Sequence, residues 1–185
     1  MKTKIIIVDD FYGDPDSVRQ FALQQPFDVT GNYPGSRTRS FLDPDIKEAL
    51  QTVVWPAGGE ITKWFDTDGM TGSFQLATAA DRSWIHTDHY NQWAAVCYLT
   101  PNAPLTAGTG LFEYKKNRAR TAAEMGNESY DPQDMTKWIM YDVISNKYNR
   151  LVMYRGDLFH SSLDYFGSGP DDGRLFQVFF FDTTY

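Results

Sequence analysis

At 185 residues with a formal charge of −7, the chain is the size of one domain with a single substantial core, and its acidic balance argues against a general nucleic-acid surface, which needs clustered Lys and Arg. Hydrophobic residues make up 42% and aromatic ones 16%, more than a disordered chain carries and in favour of strands. Cys97, the one cysteine, sits in the apolar run AAVCYL; this excludes an internal disulfide and fits a buried thiol in a reducing, cytoplasmic setting.

Residues 4–8 form a β-branched run and read as a strand. The aliphatic stretch Ile5 to Val8 meets two aspartates at once, too soon for a signal peptide or a membrane span. Asp14-Pro15-Asp16-Ser17 reads as a helix start, and Val18, Phe21, Ala22 and Gln25 carry an amphipathic spacing up to Pro26. Residues 29–39, rich in Gly, Asn, Pro and Ser, read as irregular loop. A second helix is predicted over residues 44–54, with Asp43 as its N-cap and Pro56-Ala57-Gly58-Gly59 as its end.

Strand-like material then dominates, over residues 61–65, 72–78, 84–85, 92–100, 110–114, 150–154 and 175–182, with turn residues between. Residues 116–142 are polar and mixed; they read as an insertion, helical around 134–141, that could form a lid. Two helices followed by seven or more short strands predict an α+β, mainly β domain over residues 1–185. The architecture expected is a β-sandwich or jelly roll with the N-terminal helices packed outside it.

The chemistry sits on the histidines. His86 and Asp88 lie two apart in SWIHTDHYNQW, and His160 closes the run GDLFH. Residues two apart in an extended segment share a face, so His86 and Asp88 converge on one point. Two imidazoles and one carboxylate suit Fe(II) and leave positions open for other ligands. A lone His-x-Asp pair arises by chance, and the distal His160 lifts it above that background. His89 points away from Asp88 in an extended segment, which leaves it an outer-shell, substrate-contact or surface role.

Arg174 opens the apolar strand RLFQVFFFD. If buried it needs a partner, and the carboxylate of 2-oxoglutarate would serve, held by charge-assisted hydrogen bonds. Pairing with Asp171, Asp172 or Asp182 at a sheet edge is the structural alternative. Tyr98 shares parity with Asp88 if the strand runs unbroken, and its hydroxyl could donate to the same carboxylate. Gln75 is a candidate for the pocket wall or an ordinary core residue.

The pieces IHTDHYNQW, VCYLTP, AGTGLF, GDLFHSS and GRLFQVFFFD resemble the prolyl-4-hydroxylase-like branch of the 2-oxoglutarate/Fe(II) oxygenase superfamily. The resemblance spans roughly residues 72–182. It implies a double-stranded β-helix with His86, Asp88 and His160 on iron, Arg174 on the far carboxylate of 2-oxoglutarate and Tyr98 beside it. It also implies an O2-consuming hydroxylase, supported by ascorbate in vitro, that acts on a small-molecule, amino-acid or peptidyl substrate and releases succinate and CO2.

A cupin-like metal protein, an isomerase or a sensor, is the alternative, and it has no need of Arg174. An interaction protein built on surface Trp84, Trp93 and Trp138 is a third. Substrate choice would fall to residues 29–39 and 116–142. There Arg37, Arg39 and Arg118 could attract an anionic or amino-acid group or simply serve solubility.

Overall fold

The computed structural model describes residues 3–185. Its strands are β1 (Ile5–Val8), β2 (Ser36–Ser40), β3 (Ile61–Trp64), β4 (Ser73–Ala77), β5 (Trp93–Tyr98), β6 (Thr109–Tyr114), β7 (Trp138–Ile144), β8 (Leu151–Arg155), β9 (His160–Ser162) and β10 (Arg174–Thr183). Helices α1 (Pro15–Leu23), α2 (Pro44–Gly58) and α3 (Ala122–Met125) complete it. The large sheet runs β1-β8-β5-β10-β4-β2, with β3 also on β10, and the small sheet runs β7-β6-β9. Every register is antiparallel. The result is a jelly roll with its two early helices outside.

β10 explains the layering. On one face Leu175, Phe179 and Phe181 pack with Phe74 against Ala22 of α1 and Leu50 and Val54 of α2. On the other, Phe176, Val178 and Phe180 meet Leu111 and Ile144 of the small sheet. A strand buried on both faces reads as a continuous apolar run rather than an alternating one. Arg174 has the parity of Phe176, so it enters between the sheets.

Both helices begin as expected, with Asp14 accepting from the Ser17 N–H and Asp43 from the Ile46 N–H. α2 then runs past the predicted end, through Pro56 to Gly58. Pro56 deprives only Thr52 of a donor, and Thr52 lies on the exposed side of the helix. Gly59, at φ 77°, makes the turn.

Three further expectations change. Residues 29–39 are not all loop, because β2 pairs with β4 and Val29 bridges Arg37. The helix expected around 134–141 is one 3-10 turn, Met135–Lys137, followed by β7. Residues 84–85 form no strand; the pairing there is a single bridge at His86. Much of the 116–142 segment covers the outer face of the small sheet, where Ala119, Met125 and Trp138 pack on Ile85, Phe112 and Phe159. Trp93 and Trp138 are buried, which removes two of the three aromatics that an interaction surface would use.

Candidate metal centre

His86 and His160 face each other in an isolated antiparallel bridge. Each backbone N–H donates to the other's carbonyl, at 3.0 and 2.9 Å, and the rings lie 4.4 Å apart between centroids. β9 in turn is held by β6, with His160 opposite Leu111. The Asp88 N–H donates to the Gly156 carbonyl at 2.7 Å. The carboxylate then comes within 3.8 Å of Nε2 of His86 and 3.4 Å of Nε2 of His160. One donor atom from each residue lies within 4.8 Å of the others, the one such cluster among the described residues.

The cluster fits a divalent ion on three counts. Nδ1 of His86 lies 3.0 Å from the Trp84 carbonyl and Nδ1 of His160 lies 2.9 Å from that of Leu158. A carbonyl only accepts, so Nδ1 of each ring carries a proton and Nε2 is the nitrogen left facing Asp88. Burial, reinforced by His160, pushes the His86 pKa from 6.5 down to about 4, so the ring is neutral near pH 7. Burial alone would raise the Asp88 carboxyl, but His160 and His86 outweigh it and hold the group ionised. An ion about 2.1 Å from two ligands at right angles holds them about 3.0 Å apart, so modest side-chain rotations close the set.

The cluster lines a cavity of about 90 Å³ between the sheets, walled by Arg37, Gln75, Tyr154, Phe176, Val178 and Phe180. Ser83, Trp84, Ser162 and Tyr165 belong both to this cavity and to an outer groove of about 660 Å³. Pro132, Gln133 and Met135 form part of the groove's other wall. His89 is exposed, with its ring against Tyr90, and stands apart from the cluster.

Arg174 is 1% exposed. Its Nη2 donates to the Gly108 carbonyl at 3.1 Å, while Nε and Nη1 have no partner among the described residues. The acids of the structural alternative are engaged elsewhere at two of three positions: Asp172 caps Ser168 and Gly169, and Asp182 accepts from the Gln92 N–H. The guanidinium sits behind the cavity wall, 5.0 Å from the Phe176 ring and 5.4 Å from that of Tyr165. Tyr98 stands opposite Phe176 in the register, with its ring 5.6 Å from the guanidinium. Its hydroxyl lies 2.7 Å from Oγ1 of Thr109, a cavity residue. No unbroken strand joins Asp88 to Tyr98, because residues 89–92 turn before β5 begins; Tyr98 faces inward through the parity of β5 alone.

Gln75 is in the wall, and its role is specific. Its Oε1 accepts from Nε of Arg37 at 2.8 Å and its Nε2 donates to the Pro34 carbonyl at 2.6 Å. Arg37 is thereby fixed in the cavity lining, a placement no pattern in residues 29–39 signals. The carbonyls of Trp84 and Leu158 were equally unreadable, since any residue could supply them.

Gly156 makes the Asp88 turn possible. A Cβ there would lie 2.5 Å from the Asn91 carbonyl oxygen and 2.7 Å from that of Asp88, so Gly156→Ala must shift the backbone that carries the carboxylate. We expect a folded protein with metal affinity reduced about 10–100-fold, the range for disturbing the groups that orient a ligand. Calorimetric titration with Ni(II) measures this, and unchanged affinity would mean that the turn adapts.

No curated protein matches the chain in sequence. Among solved structures, HygX from Streptomyces hygroscopicus with nickel and 2-oxoglutarate bound is similar at a TM-score of 0.67 and 14% identity, over 100% of this chain and 84% of that one; a second HygX structure also holds hygromycin B. A Trichoplax adhaerens prolyl hydroxylase in complex with a hypoxia inducible factor peptide fragment is similar at 0.53 and 12% identity, over 97% and 84%. The non-heme alpha ketoglutarate dependent epimerase SnoN from nogalamycin biosynthesis is similar at 0.62 and 10%, over 98% and 79%. The fold is that of the 2-oxoglutarate/Fe(II)-dependent oxygenases. In sequence the matching family model spans residues 1–137, taking in His86 and Asp88 and stopping short of His160 and Arg174. The chain belongs to DUF6445, a family of unknown function.

Proposed function

We propose that the protein is an Fe(II)- and 2-oxoglutarate-dependent oxygenase with His86, Asp88 and His160 holding the iron. Arg174, assisted by Tyr98, binds the far carboxylate of the keto acid. The observation that carries this proposal is the pairing of a ligand-ready cluster with a buried guanidinium, two of whose three nitrogens lack partners among the described residues. A buried charge left unpaired is costly, and a dicarboxylate reaching from the ion to Arg174 would relieve it. That need also separates the proposal from a cupin-like isomerase or sensor.

Bound together, the ion and the keto acid supply oxidative decarboxylation: O2 and 2-oxoglutarate give succinate, CO2 and one oxygen atom for a substrate C–H bond. The chain's own part is placement. His86 and His160, locked at Nδ1, present Nε2 to one point, and Asp88 offsets the ion's charge. Phe176, Val178 and Phe180 keep water from the reacting centre. The groove at Trp84 and Tyr165 admits the substrate, with residues 116–142 forming part of its wall within one catalytic domain. We take hydroxylation of a small-molecule, amino-acid or peptidyl substrate as the outcome. A reducing, cytoplasmic compartment suits both Fe(II) and the buried Cys97 thiol.

The test is succinate formation from 2-oxoglutarate under air with Fe(II) and ascorbate, followed with and without a panel of amino acids and peptides. Turnover should require Fe(II), 2-oxoglutarate and O2 together and should vanish in His160→Ala. Metal-independent turnover, or turnover equal in the variant, would overturn the proposal. Binding of 2-oxoglutarate to the Ni(II)-loaded protein supplies the independent check.

A further inference from the structure

The four arginines of the substrate-facing segments are not equivalent; Arg120 is exposed and its Nε donates to Glu113 at 3.1 Å. Arg39 is exposed and lies over the Phe41 ring at 5.0 Å. Arg118 is exposed and ion-paired with Glu113 at 2.5 Å. Arg37 is 8% exposed and belongs to the lining of the metal cavity.

Arg37 is held as a positioned group. Its Nε and Nη1 donate to Oε1 of Gln75 and the Gly69 carbonyl at 2.8 and 2.6 Å, and its guanidinium carbon lies 3.8 Å from the Tyr33 ring centroid. Nη2 is left without a partner among the described residues, and no described carboxylate pairs with the side chain. Burial pulls its pKa from 12.5 down to about 10, which still leaves it charged at neutral pH. The carboxylate whose field most supports it is Asp88, and in the proposed enzyme that group is committed to the ion.

Charge then decides the occupant. The loaded site would hold a divalent ion, Arg37 in the cavity lining and Arg174 behind its wall against Asp88 and a dicarboxylate. One positive charge remains uncompensated in a site largely closed to water, Arg37 being 8% exposed, where such a charge is costly. It resides on Arg37, since Arg174 carries the free nitrogens that suit the keto acid. Taking the oxygenase assignment as its starting point, we propose that the substrate of this site is an anion, a carboxylate-bearing small molecule whose carboxylate is bound by Arg37. Gln75 is the positioning residue that holds the guanidinium toward it. Tyr33 and Trp84 flank the site and would contact the substrate's body.

The experiment uses the Ni(II)-loaded protein saturated with 2-oxoglutarate, which binds but does not turn over. Matched acid and amide pairs are titrated: N-acetylglycine with its amide, phenylacetate with phenylacetamide, and N-acetylphenylalanine with its amide. Quenching of tryptophan fluorescence reports occupancy, because Trp84 lines the cavity. At least one acid should bind about tenfold or more tighter than its amide, as a charge-assisted hydrogen bond implies. Arg37→Gln should erase that preference and Arg37→Lys retain part of it, with the 2-oxoglutarate dissociation constant within about twofold of wild type in both.

Equal binding of acid and amide in every pair overturns the proposal. So does an Arg37→Gln variant that loses 2-oxoglutarate along with the acid, since Arg37 would then serve the cosubstrate. If wild type binds no 2-oxoglutarate yet keeps an Arg37-dependent preference for acids, the oxygenase assignment falls and the anion site stands. Should Arg37→Gln fail to fold, the wild-type pairs and Arg37→Lys decide the matter.

Discussion

Asp88→Ala should weaken Fe(II) or Ni(II) binding more than about a hundredfold, beyond the 10–100-fold typical of losing an orienting partner, and reduce succinate formation to background. Two imidazoles would remain, with no anion to offset the ion's charge. The fold should survive, because the bond that anchors this segment runs from the Asp88 N–H to the Gly156 carbonyl and needs no side chain. Thermal denaturation separates the two effects. Metal at a hundred times its dissociation constant stabilises the native state by about 2.7 kcal/mol, which for a chain of this size raises Tm by about 5–11 °C. Wild type should show that rise and Asp88→Ala should not, while their metal-free Tm values stay close. An equal rise in both proteins would mean that the ion is held elsewhere.

The candidate cluster was legible because its chemistry is written in side chains: a His-x-Asp pair and one distal His stand out together, and the fold brings the three within 4.8 Å of one another. What carried each imidazole into place was not legible. The carbonyls of Trp84 and Leu158 are backbone groups, and β9 is three residues of His and Ser with little strand propensity of its own. It exists because β6 pairs with one side of it and His86 bridges the other.

β2 was hidden for a similar reason. Its sequence SRTRS carries no apolar alternation, and the register shift between Arg37 and Ser40 breaks the period-2 rule that would put Arg37 and Arg39 on one face. Hence Arg37 is buried and Arg39 is not. β7 was masked by its setting in a polar insertion, with a second register shift where it meets Leu111 and Phe112. By contrast β10 was plain, since a strand buried on both faces shows its whole length as apolar residues.

Arg174→Met should cost the protein its 2-oxoglutarate, with affinity falling by about 30-fold to several thousand-fold, the range for truncating one partner of a buried, hydrogen-bonded charge pair (about 2–5 kcal/mol). The same substitution should make the metal-free protein more stable. Wild type buries a guanidinium with Nε and Nη1 unpartnered, and apolar replacement of even well-paired buried ions is often stabilising by about 1–4 kcal/mol. Two terms oppose this. The Gly108 carbonyl loses its donor, about 1 kcal/mol, and the rings of Tyr98, Tyr165 and Phe176 at 5.0–5.6 Å lose a cation, about 1 kcal/mol. The expected net is centred on a gain of about 0.5 kcal/mol, or a Tm higher by about 1–2 °C. The two measurements together identify the residue's purpose. A guanidinium kept for structure would be missed when it is removed; one kept for a ligand burdens the empty protein and is repaid on binding. A lower Tm with 2-oxoglutarate affinity intact would assign Arg174 to the scaffold.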